Sequence, residues 1–356
     1  MFQRFRHITA LAAAIAAVQL LTAATGKEFF LTQLTMAGYY TLVIIGLCLL
    51  MGYAGQISLG HAGFFAIGGY TSAVLTTVDL SAWKAAPAIS LLAKSGILTG
   101  RADLYGGQIL TVHPWAAFLC ALCITIVVAF LIGVPVLKLK GHYLAMATLG
   151  FGTIIYSVVL ATSRFGAADG ISSVPAFPLL PGLAVTGGSS QRVANYYFAW
   201  LLVTVGMLLL INLIHSRVGR ALRSIHGAED AAGAMGVDAA RYKLNTFILS
   251  AVYAAVAGVF LTHYNGGIGP SEASIMKSVR YVAIVAVGGM GSLWGTLIMS
   301  AVLNFLSLRG YFGTFDDAVF GSILIAVMLF SPEGVLKLDI RSLVGRWIRT
   351  DRKAGA

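Results

Sequence analysis

The residues best suited to contact a polar solute lie in one glycine-rich segment between two long apolar runs. The segment reads Gly52-Tyr-Ala-Gly-Gln-Ile-Ser-Leu-Gly-His-Ala-Gly63. A bilayer offers no water to free backbone N–H and C=O groups, so irregular polar backbone at that depth must pack in protein or line a wet cavity. The segment therefore predicts a broken helix beside the path of a transporter or channel. Its candidate path residues are Gly52, Gly55, Gln56, Ser58, Gly60 and His61.

A second break carries a short copy of this pattern, since Gly55-x-x-Ser58-Leu59 recurs as Gly289-x-x-Ser292-Leu293. Paired glycine-interrupted segments in two halves of a chain point to a substrate route, and close helix packing through small residues is the alternative. The candidate path residues here are Gly288, Gly289, Gly291 and Ser292.

His61 is a lone histidine, with no second His, Cys or acid near it in the sequence, so no metal site is predicted. A structural hydrogen bond to a freed carbonyl is its favoured role, and a polar contact along the path is the alternative. Gln56 and Ser58 carry the same two interpretations.

The elements that position these residues must be membrane helices. Hydrophobic residues make up 58% of the 356, charged residues 10%, and the mean hydropathy is +0.86, whereas soluble domains carry roughly 25% charged residues. Apolar runs near the roughly 20 residues of a spanning helix fall at 8–24, 34–51, 64–78, 115–137, 144–161, 196–214, 244–263, 279–308 and 319–330. The run 279–308 is too long for one helix and is divided at 288–292. We predict one all-α integral membrane domain over 1–356 with ten spans, nine being the alternative count.

The first run and two cysteines each allow a second interpretation. Arg4 and Arg6 precede an apolar stretch that ends in small residues, so a cleaved secretory signal is the alternative to a first span.

Cys120 and Cys123 have the spacing of a redox motif but lack its βαβ context. Two small residues inside a membrane helix is therefore the favoured interpretation.

The distribution of Lys and Arg predicts the orientation. With the N-terminus inside, 15 of the 24 basic residues fall in inner loops, which then carry a net charge of +9 against +2 for the outer loops. Basic loops remain in the cytoplasm, so both termini, the loop 216–241 and the tail 335–356 are predicted to be cytoplasmic. Because the charge is spread by loop, nucleic-acid binding is not predicted. The outer segments 79–113 and 164–195 are predicted to cap the outer mouth or dock a partner, and 79–113 could equally be an ordinary loop.

The inner loop after the sixth span has helical periodicity. Arg217, Arg220 and Arg223 form its polar face, and Gly236 follows as a helix stop. Such a helix could lie on anionic lipid, but its small residues favour docking to a protein partner. The opposite face comprises Ala221, Leu222, Ile225, Ala228, Ala231, Ala232 and Met235.

Asp230-Ala-Ala-x-x-x-Gly236 resembles the Glu-Ala-Ala-x-x-x-Gly coupling loop of ABC importer permeases, with Asp230 in place of Glu and Glu229 just before it. The chain as a whole resembles the branched-chain amino acid permease family of LivM type, in motifs that keep the family's order from about Tyr39 to Gly334. The segment 79–113 is long for that family. The motifs are Gly52-Tyr-x-Gly-Gln-x-Ser-Leu-Gly-His-Ala62, Lys140-Gly-His-Tyr-Leu-Ala145, Leu149-Gly-Phe-Gly152, Arg241-Tyr-Lys-Leu244, Gly288-Gly-x-Gly-Ser-Leu293 and Ser331-Pro-Glu-Gly334.

The resemblance implies a permease subunit of the bacterial inner membrane that works with a second, LivH-type permease subunit, two ABC ATPase subunits and a periplasmic binding protein. It implies no cofactor in this chain, because ATP is used by the partner subunits. Together with the helical pattern of the inner loop, it predicts that ATPase coupling uses Arg220, Arg223, Glu229, Asp230, Ala231, Ala232 and Gly236. A homodimer remains open beside the heterodimer.

The residues themselves also indicate that energy comes from another subunit. No Gly-x-x-x-x-Gly-Lys-Ser/Thr phosphate loop occurs, since Gly26-Lys27 is followed by Glu28. Intramembrane ionisable residues are conspicuous when a carrier uses them, and the candidates at depth are limited to His61, Tyr156 and Asn304. The nearby acids are assigned to outer loops; they are Asp169, Glu272, Asp316 and Asp317.

The predicted substrate is a small polar solute, with branched-chain amino acids as the family default and urea or short amides as the alternative. A secondary carrier or channel acting alone would explain the broken spans but not the helical inner loop. A membrane scaffold without transport function would explain neither.

Overall fold

The computed structural model describes residues 2–81, 96–102, 108–139 and 141–330. Four parts of the chain that carry predictions lie outside the described residues: Lys140, the motif 331–334, the tail 335–356, and residues 82–95 and 103–107 of the predicted outer segment 79–113. In the described part the chain forms twelve α-helices: α1 Phe2–Ala24, α2 Phe30–Cys48, α3 His61–Thr77, α4 Pro114–Val136, α5 His142–Ala161, α6 Arg192–His215, α7 Arg217–Gly227, α8 Glu229–Ala234, α9 Ala239–Asn265, α10 Ile275–Gly288, α11 Leu293–Leu308 and α12 Asp316–Phe330.

Helices coincide with all ten predicted spans. Six of them, α1, α2, α4, α5, α6 and α9, are long and apolar enough to cross a membrane. The other four, α3, α10, α11 and α12, have 17, 14, 16 and 15 described residues. The helical membrane fold is thus confirmed, while the count of ten spans stays a prediction.

The core of the bundle is built on α2, α3 and α9, and small residues let these helices approach closely. A Cβ on Gly68 of α3 would lie 2.5 Å from the carbonyl oxygen of Ala255 in α9, and one on Gly46 of α2 would lie 2.7 Å from Tyr253 Cβ. Membrane helices associate by such backbone proximity. By contrast, only 28% of the most apolar stretch of α4, and likewise of α5, is buried inside the bundle, as expected of lipid-facing helices.

The all-α prediction needs one correction, because three small antiparallel sheets connect the helices. Strand β1 (Leu98–Ala102) pairs with β2 (Gln108–Val112), β3 (Ile171–Ser172) with β6 (Gly267–Ile268), and β4 (Phe177–Leu180) with β5 (Leu183–Val185). The first is a hairpin inside the segment that the sequence left as a possible loop. Asp79 ties it to the end of α3 by accepting from Leu110 N at 3.1 Å, and hydrogen bonds from Ser81 and Leu110 hold the pKa of this carboxyl below its usual value.

The two ends of the bundle can be distinguished by their loops. Helix α7 follows α6 after a single residue, Ser216, so it marks one end of the bundle, called here the α7 end. Tyr53, which follows α2, lines a cavity with Ile214 and His215 of α6 and therefore lies at the α7 end as well. Helix α2 begins at the opposite end, where the Arg309 guanidinium lies over the rings of Phe29 and Phe30.

Candidate functional site

The first glycine-rich segment connects two helices and does not interrupt one. Helix α2 continues as a π-helical turn, Leu49–Tyr53, and α3 begins at His61. The chain reverses between them through Gly55, whose φ of +68° is a left-handed conformation that glycine adopts without strain. The prediction of a broken helix within the membrane is therefore corrected to a helix-to-helix connection at the α7 end.

The two predicted path segments meet. A Cβ on Gly52 would lie 1.5 Å from the Met290 carbonyl oxygen, so only glycine fits there. The Tyr53 hydroxyl donates to the Gly291 carbonyl at 3.1 Å. The sequence predicted that the two segments share a role, and the structure brings them into direct contact.

The two copies of the short pattern agree in backbone and differ in side chain. Gly289, like Gly55, is left-handed, with φ of +91°, and follows a helix. Ser292 caps α11 by accepting from Gly295 N at 3.1 Å. Ser58 makes no comparable cap, because α3 begins after Gly60 and the Ser58 hydroxyl has no partner in the described part of the chain.

Three polar side chains are fully buried beside this connection. Gln56, Ser58 and His61 are 2%, 1% and 0% exposed. His61 Nε2 lies 3.0 Å from Ser250 Oγ in α9, a structural hydrogen bond. Its Nδ1, both amide atoms of Gln56 and the Ser58 hydroxyl have no hydrogen-bond partner among the described residues. Buried polar atoms are normally paired, so this cluster is suited to bind water or a polar solute.

Thr148 of α5 is a further member of the site that the sequence analysis did not select. Its hydroxyl accepts from Leu59 N at 3.0 Å, and a Cβ on Gly60 would lie 2.8 Å from its carbonyl oxygen. The only sequence signal was its position inside the motif-rich stretch 140–152.

A cavity of about 390 Å³ lies beside the contact between the two path segments, bounded by Tyr53, Gly291, Ser292 and the end of α6.

The predicted inner helix is two helices. Ser216 caps α7 by accepting from Val218 N at 3.1 Å, and the extended backbone of Ala228 separates α7 from α8. Gly236, with φ of +82°, ends α8: its N–H bonds to Gly233 O and the N–H of Val237 to Ala232 O. This is a Schellman termination, which confirms Gly236 as the helix stop.

The break at Ala228 changes which residues face outward. Leu222, Ile225 and Ala232 are buried against the bundle. Met235 is 85% exposed, so its predicted place on the same face as Leu222 is wrong, since the helical phase is lost at Ala228. The exposed surface of α8 includes Asp230 and Ala231.

Two of the predicted coupling residues make polar contacts with the bundle. An Arg223 guanidinium nitrogen donates to the Ile214 carbonyl at 3.3 Å, at the end of α6. The Lys243 ammonium of α9 lies 2.5 Å from a Glu229 carboxylate oxygen. These contacts fix the loop on α6 and α9, while Arg220 remains exposed.

Helix α7 also touches the first path segment. A Cβ on Gly55 would lie 3.4 Å from His226 Cγ, near the last residue of α7. The predicted coupling residues and the predicted path residues are thus parts of one packed unit at the α7 end.

One of the acids assigned to an outer loop reaches into the bundle. The chain folds back after β6, and a Glu272 carboxylate oxygen accepts from the Tyr40 hydroxyl, halfway along α2, at 2.9 Å. Its partner is Lys277 of α10. Glu272 does lie in the loop between α9 and α10, where the sequence placed it, but this loop re-enters the bundle, which hydropathy does not register. No group of three His, Cys, Asp or Glu suited to a metal ion occurs where the chain is described.

Comparison with known proteins identifies relatives over most of the chain. The profile of the family described as "Branched-chain amino acid transport system / permease component" matches residues 29–331. The chain is 31% identical to the high-affinity branched-chain amino acid transport system permease protein LivM of Salmonella typhimurium, over 85% of this chain and 69% of the relative. It is 26% identical to LivH of Escherichia coli, over 86% of this chain and 96% of the relative. It is 28% identical to BraD of Pseudomonas aeruginosa, over 85% of this chain and 93% of the relative. No solved structure matches the chain significantly.

Proposed function

Because the chain belongs to the branched-chain amino acid transport system permease family, we propose that it is the membrane-spanning permease subunit of a bacterial ABC importer for branched-chain amino acids. Solute would be delivered by a periplasmic binding protein, and ATP would be hydrolysed by two separate ATPase subunits. The multi-pass apolar helices support a place in the inner membrane, and the basic inner loops support a cytoplasmic location of both termini.

The observation that carries this proposal is the contact between α7 and the first path segment. An importer must transmit nucleotide-driven movement of its ATPase to the solute path. His226 of α7 packs on Gly55, and Gly52 packs on the turn at Met290. A displacement of α7 would therefore reach both glycine-rich segments without an intermediate element.

We assign the solute path to the two segments in contact, with Gln56, Ser58 and His61 as its polar contacts and Thr148 as an additional one. Their unpartnered buried atoms support this role. The glycines are assigned a backbone role, because a side chain at Gly52 or Gly60 would collide with a carbonyl oxygen of Met290 or Thr148. The full set comprises Gly52, Gly55, Gln56, Ser58, Gly60, His61, Gly288, Gly289, Gly291 and Ser292.

The coupling residues divide into two groups. We assign ATPase contact to Arg220, Asp230 and Ala231, which are exposed. Arg223 and Glu229 orient the loop through the Ile214 carbonyl and Lys243. The remaining two, Ala232 and Gly236, shape α8 through burial and helix termination.

Similarity to both LivM and LivH supports a paired permease, in which this chain is the LivM-type partner of a LivH-type subunit. A homodimer is the alternative arrangement.

The test is reconstitution of the permease pair in proteoliposomes with radiolabelled leucine and a leucine-loaded binding protein. Uptake should require both the ATPase subunits and ATP. Leucine uptake without them would contradict the proposal and indicate a carrier acting alone. ATP-dependent uptake of urea or acetamide but not leucine would identify the amide class as the substrate.

A further inference from the structure

An ion pair that the path assignment does not use lies deep in the bundle. The Lys277 ammonium is 3.0 and 3.1 Å from the two Glu272 carboxylate oxygens. It also donates to the Tyr40 hydroxyl at 2.9 Å, while that hydroxyl donates to Glu272. Lys277 and Glu272 are 21% and 19% exposed, so the pair is accessible from one side.

The depth of this pair follows from the residues that hold it. Tyr40 is ten residues from the first residue of α2, which at 1.5 Å per residue is about 15 Å along the helix. Tyr70, which shares a buried cluster with Ala273 next to Glu272, lies nine residues into α3. A charged pair that reaches the middle of a spanning helix such as α2 is costly and marks a functional site by default.

Two further hydroxyl groups close to this ion pair make no hydrogen bond in the described part of the chain. Tyr70 and Tyr281 are 3% and 1% exposed, and neither phenol oxygen has a hydrogen-bond partner within the described ranges. Tyr70 belongs to the same buried cluster as Ala273, the neighbour of Glu272, and the Tyr281 ring lies 6.3 Å from that of Tyr40. Buried phenols normally find a partner, so these two are available to a ligand.

We propose that Glu272 and Lys277 form a recognition site for the zwitterionic head group of an α-amino acid in transit. Glu272 accepts from the substrate ammonium, Lys277 donates to the substrate carboxylate, and the Tyr70 and Tyr281 hydroxyls add hydrogen bonds. This inference rests on the proposed function and narrows its substrate class, because a neutral amide carries neither charge.

The chemistry of the pair suits transient binding. Without substrate, the two charges neutralise each other. When the substrate binds, Glu272 exchanges Lys277 for the substrate ammonium, and Lys277 exchanges Glu272 for the substrate carboxylate. Neither charge is therefore left unpaired inside the bundle. Binding by exchange is weak enough to permit release, as conduction along a path requires.

A purely structural ion pair would behave differently, and the chain offers a matched control. Arg280, three residues along α10, lies 2.5 Å from Asp316 and 3.0 Å from Asp317. This second pair joins α10 to α12 one helical turn further along α10, and Arg280 also donates to Ser307 of α11. Neutralising a structural buried pair on both sides is commonly tolerated.

The experiment compares Glu272→Gln/Lys277→Met with the control Arg280→Gln/Asp316→Asn in the reconstituted complex. We expect the first variant to retain ATPase co-purification and binding-protein-stimulated ATP hydrolysis while leucine uptake falls by about tenfold or more, since charged hydrogen bonds are lost. The control should transport at close to the wild-type rate. Wild-type leucine uptake by the first variant, or an equal loss in the control, would overturn the site.

Tyr70→Phe/Tyr281→Phe provides a second variant that removes only two unpartnered hydroxyls and leaves both charges in place. We expect its KM for leucine delivered by the binding protein to rise several-fold with assembly intact, whereas an unchanged KM would contradict the proposal. Failure of the proposed function would look different, because the wild-type complex itself would then lack ATP-dependent leucine uptake.

Discussion

At the scale of single residues, glycine is required at particular points of the path for different reasons. Position 52 requires glycine because the Met290 carbonyl oxygen occupies the space that a Cβ would need. Positions 55 and 289 favour glycine because their backbone is in the left-handed conformation. Gly291 has neither constraint, because a Cβ there would meet nothing within 4 Å.

This difference allows a matched test. We expect Gly52→Ala to abolish most leucine uptake, because the added methyl must displace the Met290 turn, and overpacking of this kind costs about 1–3 kcal/mol. Gly291→Ala should leave uptake close to wild type. Uptake is measured at equal membrane expression, and the thermal midpoint of each detergent-purified variant is measured alongside it. Normal uptake and stability of Gly52→Ala would show that the close approach of the two segments is dispensable.

At the scale of elements, the division of the inner loop into α7 and α8 determines which surface a partner can reach. Leu222 and Ile225 anchor α7, and Ala232 anchors α8. Gly219 lets α7 fold against the end of α6, where a Cβ would lie 2.0 Å from the Ile214 carbonyl oxygen. The proposed docking would therefore use exposed residues such as Arg220 of α7 and Ala231 of α8, with Met235 just beyond the end of α8.

We expect Ala231→Trp to weaken ATPase docking without unfolding the permease. A large side chain in a small-residue contact costs about 1–3 kcal/mol, which corresponds to roughly five- to a hundredfold in affinity. Ser190→Trp, an exposed position before α6 at the opposite end, is the matched control. ATPase recovery on a tagged permease is the measurement.

The alternative function of the loop gives the reverse outcome. If α7 and α8 only lie on lipid, an added Trp should strengthen their hold on the interface. Undiminished ATPase recovery and normal transport by Ala231→Trp would then exclude α8 as the coupling element. Ala232→Trp is a poor substitute, because Ala232 is buried and its replacement would disturb the loop itself.

The sequence predicted elements better than their arrangement. Apolar runs identified the ten helices because burial in lipid or protein selects the same residue types. Gly236 could be recognised as a helix stop because helix termination depends on local residues. The exposure of Met235 could not be predicted, because it depends on the break at Ala228. The contact of Glu272 with the bundle could not be predicted either, because the return of the chain after β6 is fixed by pairing with β3, far away in sequence.

At the scale of the whole molecule, the path segments, α7 and α8 share one end of the bundle, and the β1–β2 hairpin belongs to the outer segment. This asymmetry matches the predicted charge distribution, in which the inner loops carry a net +9 and basic loops remain cytoplasmic. The α7 end should therefore face the ATP pool.

The orientation can be tested by cysteine labelling in intact cells with a membrane-impermeant maleimide. Cys120 and Cys123 are exposed on α4 and must first be replaced by Ala, whereas Cys48 is buried and can remain. In that background, Ser190→Cys should be labelled from outside, because it precedes α6 at the end opposite α7. Ser224→Cys, exposed on α7, should be labelled only after the cells are permeabilised. Labelling of Ser224→Cys in intact cells would reverse the orientation, and with it the assignment of α7 and α8 to a cytoplasmic ATPase.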